Sequence, residues 1–198
     1  MPQTGIPIGR QGKQQELQMA DRHGRYYTAS YAGLSAFAAN QAGAVITLFS
    51  ATPGAYTGLC LSNPAASTVN LVPQTVTGAL AVATTGITLL GLVTGYAAAG
   101  ITVHTTPLTV FSSKLGTVIT SPIMQGLADA AATLVGVPTW TRTFQTLPTT
   151  VTVGSLFNVD LNGEIVIPPG GYVCVGATIT ATAAASFWGS ISWEEAPI

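Results

Sequence analysis

The chain reads as a mainly β protein: a jelly-roll-like antiparallel β-sandwich with an extended N-terminal arm and at most one short helix. Three observations predict it. Tyr172 to Thr182 alternates, with Val173, Val175, Ala177, Ile179 and Ala181 on one face and Cys174, Gly176, Thr178, Thr180 and Thr182 on the other. Phe187, Gly189, Ile191 and Trp193 alternate with Trp188, Ser190, Ser192 and Glu194 in the same way. Period 2 marks strands with one face in a core. Between Ser67 and Thr120, short apolar runs recur with turn residues between them, the spacing of a sandwich or barrel.

The elements follow in order. Residues 1–33 read as an extended arm and hairpin, and residues 34–198 as the sandwich. Pro2, Pro7 and several glycines leave residues 1–15 without periodicity, so they order only where something docks them. Ile6 and Ile8 are the candidate anchors. Tyr27, Ala29 and Tyr31 lie on one side of the run Tyr26–Tyr31, which fits a hairpin or a strand added to a neighbour's sheet. Residues 32–44 read as a small-residue linker, and Val45–Phe49 as a strand. Leu59–Leu61, Ser67–Val72, Val76–Ala83, Gly86–Val93, Gly95–His104, Pro107–Ser112 and Leu115–Thr120 read as further strands. Ser121–Gly136 is the helix candidate: Ser121 caps, Pro122 suits the first turn, Ala128–Ala132 favours helix, and Gly136 ends it. Thr139–Gln145 returns to strand, with Trp140, Arg142 and Phe144 on one face. Val151–Val153 and Phe157–Leu161 lead to Asn162-Gly163, a hairpin turn signal. Glu164–Ile167 reads as a short strand that Pro168-Pro169-Gly170-Gly171 breaks. Three strands so close in sequence predict one sheet centre.

Composition narrows the function classes. Only 7% of the 198 residues are charged and the net charge is −1, against about 25% charged in ordinary soluble domains. No positive field is available to hold a nucleic-acid backbone. Arg10, Lys13, Arg22 and Arg25 are four of the 6 bases, and no Asp, Glu, Lys or Arg lies between Tyr26 and Ser113. A chain so poor in charge is expected to be covered by copies of itself or by a larger assembly. Gly78–Ile101 has the length of a membrane span, but threonines and glycines dilute it and no flanking Lys or Arg sets an orientation. No membrane partner is expected. Residues 1–30 lack a signal-peptide pattern. Cys60 and Cys174 are too few for a disulfide framework, which fits synthesis in a reducing cytoplasm.

No catalytic constellation emerges. Asn158, Asp160, Asn162 and Gly163 resemble the start of a calcium loop, but the twelfth position, where a bidentate carboxylate belongs, is Pro169. His23 and His104 lack ligand neighbours in sequence. Neither Gly154-Ser155 nor Gly189-Ser190 sits in a nucleophile turn. Glu194 and Glu195 are adjacent, so they are expected on opposite sides of a strand or in solvent. Asp160 and Glu164 fit the turn. The chain is read as a non-enzyme with no catalytic residue, metal or cofactor. Trp140, Trp188 and Trp193 could form a sugar platform, although aromatics at alternating strand positions are more often core or interface.

Two stretches carry a resemblance. Gln11–Gly33, QGKQQELQMADRHGRYYTASYAG, resembles N-terminal stretches of structural proteins in tailed-phage virions. Gly163–Gly176, GEIVIPPGGYVCVG, is similar to a late strand-turn-strand of phage β-sandwich proteins. The resemblance implies a virion component, most like a head decoration (cement) protein on the capsid surface. It implies a homotrimer whose partner is the major capsid protein. The arm residues expected at the capsid or intersubunit contact are Ile6, Ile8, Arg10, Lys13, Arg22, Arg25, Tyr26, Tyr27 and Tyr31. The alternatives are a tail or spike head that binds host glycan, and a small-virus coat protein that forms the shell itself.

Overall fold

The computed structural model describes residues 34–82, 86–97, 102–114, 125–148, 154, 156–179 and 186–198. Among the described residues there are eleven strands and no helix. In chain order they are β1 (Ser35–Val45), β2 (Gly54–Ser62), β3 (Val69–Val82), β4 (Thr88–Tyr96), β5 (Thr102–Pro107) and β6 (Phe111–Ser112). Then come β7 (Leu127–Leu134), β8 (Thr139–Leu147), β9 (Leu156–Asp160), β10 (Gly171–Ile179) and β11 (Ser186–Pro197).

These strands build two antiparallel sheets. One has five strands in the order β6-β1-β11-β3-β9, the other six in the order β5-β7-β2-β10-β4-β8. The pairing is nested: β1 pairs β11, β2 pairs β10, β3 pairs β9, and β4 pairs β8. The nested pairs then join side by side, β11 to β3 and β10 to β4. One long double ribbon laid across two sheets is the jelly-roll arrangement. The remaining strands all fall between β4 and β8 in sequence. β6 extends the first sheet beside β1, while β7 and β5 extend the second beside β2.

Alternation supplies the core. Val173, Val175 and Ala177 of β10, with Leu90 and Leu92 of neighbouring β4, share one core cluster with Phe187, Ile191 and Trp193 of β11 and Val76 and Leu80 of neighbouring β3 in the other sheet. Trp193 is fully buried. Each large apolar side chain removed from water contributes about 1.5–3 kcal/mol. The intervening residues of β10 are buried too. Tyr172 and Cys174 join Tyr56, Cys60, Val93 and Leu134 in a second cluster on the outer face of the six-stranded sheet, with Phe49 and Trp140 against it.

Several expectations are corrected. Leu127–Leu134, the centre of the expected helix, is β7, because it has ladder partners on both sides: β2 and β5. Pairing on two edges overrides the alanine-rich local preference. Residues 35–45 are a strand rather than a linker, held by β11 and β6. Val45–Phe49 is not a separate strand; Leu48 makes only an isolated bridge with Ala177. Residues 164–167 likewise reduce to one bridge, Ile167 with Leu71. β10 and β11 do not share a sheet centre; each is central in a different sheet. Trp140 and Phe144 point to opposite faces. The register shifts where Leu92 and Val93 meet Arg142 and Trp140, so Trp140 packs on Phe49 outside and Phe144 on Phe157 in the core. The candidate strands at Leu115–Thr120 and Val151–Val153 lie outside the described residues.

Candidate functional site

Among the described residues the fold leaves two surfaces open: a groove of about 760 Å3 lined by Tyr96, Val137, Glu164 and Val166 beside the six-stranded sheet, and the outer face of the five-stranded sheet. Ladder register places its outward residues in rows. Phe37, Ser192, Thr75 and Asp160 form one row, Ala39, Ser190, Thr77 and Asn158 the next, and Trp188, Ala79 and Leu156 a third. Phe37 stacks on Phe111 of β6 with ring centroids 5.6 Å apart, and Phe111 stays exposed. In the middle, hydroxyls pair across strands: Thr75 Oγ1 with Ser192 Oγ at 2.7 Å, and Thr77 Oγ1 with Ser190 Oγ at 2.5 Å. Each hydroxyl satisfies its neighbour, so the strip needs no charge to be hydrated. At the far end Trp188 (42% exposed) and Leu156 (76% exposed) flank an open groove of about 600 Å3, which Gln41 and Asn158 also line. Within these rows Asp160, at the β9 edge, is the single charged side chain.

Between the sheets, beside Gly58 and Gly189, the void is about 10 Å3, too small for more than one water.

Glu195, Asp129, Arg142 and Glu164 lie apart from these rows. Glu195 is buried, accepting the backbone N–H of Gln125 and Gly126 and the indole N–H of Trp193. Of the two expectations for the adjacent pair, the opposite-sides one holds: Glu195 turns inward with Trp193, while Glu194 between them is only half-buried. Asp129 is buried on β7 beside Cys60. Arg142 and Glu164 form an exposed ion pair. Burial pushes the Tyr56 and Tyr172 phenols up, with Cys174 and Cys60 close by adding to the effect.

The arm residues Ile6, Ile8, Arg10, Lys13, Arg22, Arg25, Tyr26, Tyr27 and Tyr31 lie outside the described residues, as does His23. Asn162-Gly163 is a turn with φ of 49° and 77°, and Asp160 Oδ1 accepts the Asn162 N–H at 3.1 Å. That uses the carboxylate locally within the turn, but the turn does not close a hairpin: β9 pairs with β3, and Ile167 bridges Leu71 rather than β9. Among the described residues no group of three His, Cys, Asp or Glu is placed to hold a metal ion, and no helix is long and apolar enough to cross a membrane. The three tryptophans do not form one platform. Trp193 is core, Trp140 packs outside the six-stranded sheet, and only Trp188 reaches the groove. Sequence reasoning missed Phe37, Phe111 and Leu156. Phe37 lay in a run of small residues read as linker, and Leu156 falls just before the expected strand.

Comparison with family models, with curated proteins and with solved structures yields no match, so the fold and its surfaces alone carry the functional argument.

Proposed function

We propose that the chain is a structural protein of a bacteriophage virion, a jelly-roll decoration (cement) protein that binds the head shell and stabilises it. It acts as a homotrimer on the capsid surface, with residues 1–33 as the arm that reaches the major capsid protein. The observation that carries this reading is the near-neutral outer face of the five-stranded sheet, tipped at one end by Phe37 and Phe111 and at the other by Trp188 and Leu156. Jelly rolls serve repeatedly as capsid and lectin domains, and this one has an open groove of about 600 Å3 on the outer face of the five-stranded sheet. A flat face with paired hydroxyls and apolar ends suits burial against another protein, where each Å2 of apolar area contributes about 25 cal/mol before the cost of association is subtracted.

The mechanism is clamping. Each copy bridges adjacent shell subunits and adds interface that resists pressure from the packed genome. The test is attachment to heads that lack the protein. Removal of residues 1–25 abolishes decoration while the sandwich stays folded, and Trp188→Ala with Leu156→Ala lowers occupancy. Full occupancy by the truncated chain would sink the arm assignment. Closed particles formed by the chain alone would mean that it is the shell.

A second reading has one observation in its favour: Trp188 stands in a groove with Gln41 and Asn158, an aromatic beside amides as sugar sites require. A glycan array separates it, with Trp188→Ala as the control; absence of selective binding by the parent removes this reading.

A further inference from the structure

Cys60 of β2 and Cys174 of β10 face each other across the two central strands of the six-stranded sheet. Asn63 donates its N–H to Gly171 O at 2.9 Å, which sets the parity of this antiparallel pair. Counting from that bonded position, Leu61–Val173 is a bonded pair and Cys60–Cys174 a non-bonded one. Non-bonded partners hold their Cα atoms about 4.5 Å apart with side chains at their closest, inside the roughly 4.4–6.8 Å that a disulfide spans. The two Sγ atoms lie 3.0 Å apart, and both residues are buried free thiols.

Their position in the sheet gives the pair a role. β2 and β10 are in register only at Ser62–Tyr172, Leu61–Val173 and Cys60–Cys174. Past Cys174 the two strands part. A bulge between Thr57 and Cys60, with Gly58 at φ 127°, carries β2 away. The segment before β2 takes its place, with Leu48 bridging Ala177 and Phe49 N donating to Ala177 O at 2.9 Å. The Tyr56 hydroxyl fills the gap, 2.7 Å from Val175 O and 3.0 Å from Leu59 O. The thiols therefore sit at the fork, where a short seam between the two halves of the sheet begins to open.

We propose that Cys60 and Cys174 are an oxidation site, a latent cross-link that a disulfide oxidant of the glutathione class closes to clamp β2 to β10 at this fork. The thiolate of one cysteine attacks a sulfur of glutathione disulfide and releases one glutathione thiolate, which takes up a proton. The second cysteine then displaces the other glutathione from the mixed disulfide. Two S–H bonds break and one S–S bond forms, and two electrons and two protons end in two glutathione thiols. Burial, then the neighbouring Cys60 and Asp129, raise the Cys174 thiol well above its ordinary range. Little thiolate exists in the native chain, so closure is slow once folded and proceeds as the chain folds or the fork opens. The bond joins residues 114 apart, a long loop whose closure restricts the unfolded chain strongly.

The test refolds the full chain from denaturant in excess oxidised glutathione and, in parallel, in reductant. The oxidised product runs as a single chain under non-reducing denaturing conditions, is lighter by two hydrogens, and has no thiol available to maleimide after unfolding. Its thermal midpoint rises on the order of 10 °C, and reductant reverses all three changes. Cys60→Ala and Cys174→Ala abolish the mass change. Diamide applied to the native chain gives the same readout only slowly, at the rate at which the fork opens, and faster in sub-denaturing urea. Two thiols still alkylated after both treatments, a stable glutathione adduct, or a disulfide between two chains would overturn the proposal.

Discussion

The indole of Trp193 donates to the carboxylate of Glu195, Nε1 to Oε1, at 3.3 Å, both residues buried two apart on β11. The same carboxylate receives Gln125 N at 2.9 Å on each oxygen and Gly126 N at 2.8 Å. Gly126 lies so close that a Cβ there would stand 2.8 Å from the indole nitrogen. Glu195 thus staples the inserted segment, just before β7, to the central strand of the other sheet.

Removing that staple leaves buried N–H groups without an acceptor. Glu195→Ala is expected to cost about 3 kcal/mol, and Glu195→Gln, which keeps one acceptor oxygen, about 1–2 kcal/mol. Urea unfolding followed by tryptophan fluorescence measures both. An alanine variant with the parent's midpoint would show that the staple is dispensable.

Gly91 lies where β4 meets β8. A Cβ there would fall 2.3 Å from Arg142 O and 2.4 Å from the Trp140 ring. Backbone and a packed indole both block it, so neither can give way cheaply. Gly91→Ala is expected to lose about 2–3 kcal/mol through overpacking. Gly54→Ala, with nothing within 4 Å, is the matched control and should lose far less.

Stability should fall on the alkaline side. The Cys174 thiol is raised above its ordinary 9.0, and the Tyr56 phenol above 10.0, chiefly by burial. Between unfolded and folded pKa the native state holds the extra proton, so stability is fully present below the unfolded values and declines as pH rises past them. Thermal midpoints of the reduced chain should therefore begin to drop near pH 9 and drop more steeply past pH 10. Cys174→Ala removes the first part of the decline and Tyr56→Phe part of the second. Unchanged profiles in both variants would contradict the assignment.

The Arg142–Glu164 pair, with side chains 40% and 61% exposed, should matter little. A double-mutant cycle with alanine at both positions is expected to return a coupling of about 0.2–1 kcal/mol that shrinks with salt.

What was legible in the sequence was local. The inward set Val173, Val175 and Ala177 and the set Phe187, Ile191 and Trp193 follow from period 2, as does the Asn162-Gly163 turn from its residues. Strand partnership was not legible, because it depends on segments far apart in the chain. Tyr172 to Thr182 read as half-buried, yet Tyr172 and Cys174 are as buried as Val173; only the second cluster outside the sheet explains that. The same blindness made Cys60 and Cys174 look isolated and made β7 look helical. The groove beside Trp188 was half legible: the tryptophan stood out, whereas Leu156 comes from β9, a partner that only the nested pairing brings there.

The nested pairing also orders events in time. β11, the last of these strands to leave a ribosome, lies between β1 and β3, which are among the first. Until it emerges, the five-stranded sheet has a gap at its centre, and β1 and β3 lack the strand that joins them. A nascent chain of this topology must wait with apolar strands uncommitted. Its yield in a cell will depend on how well chaperones cover that interval.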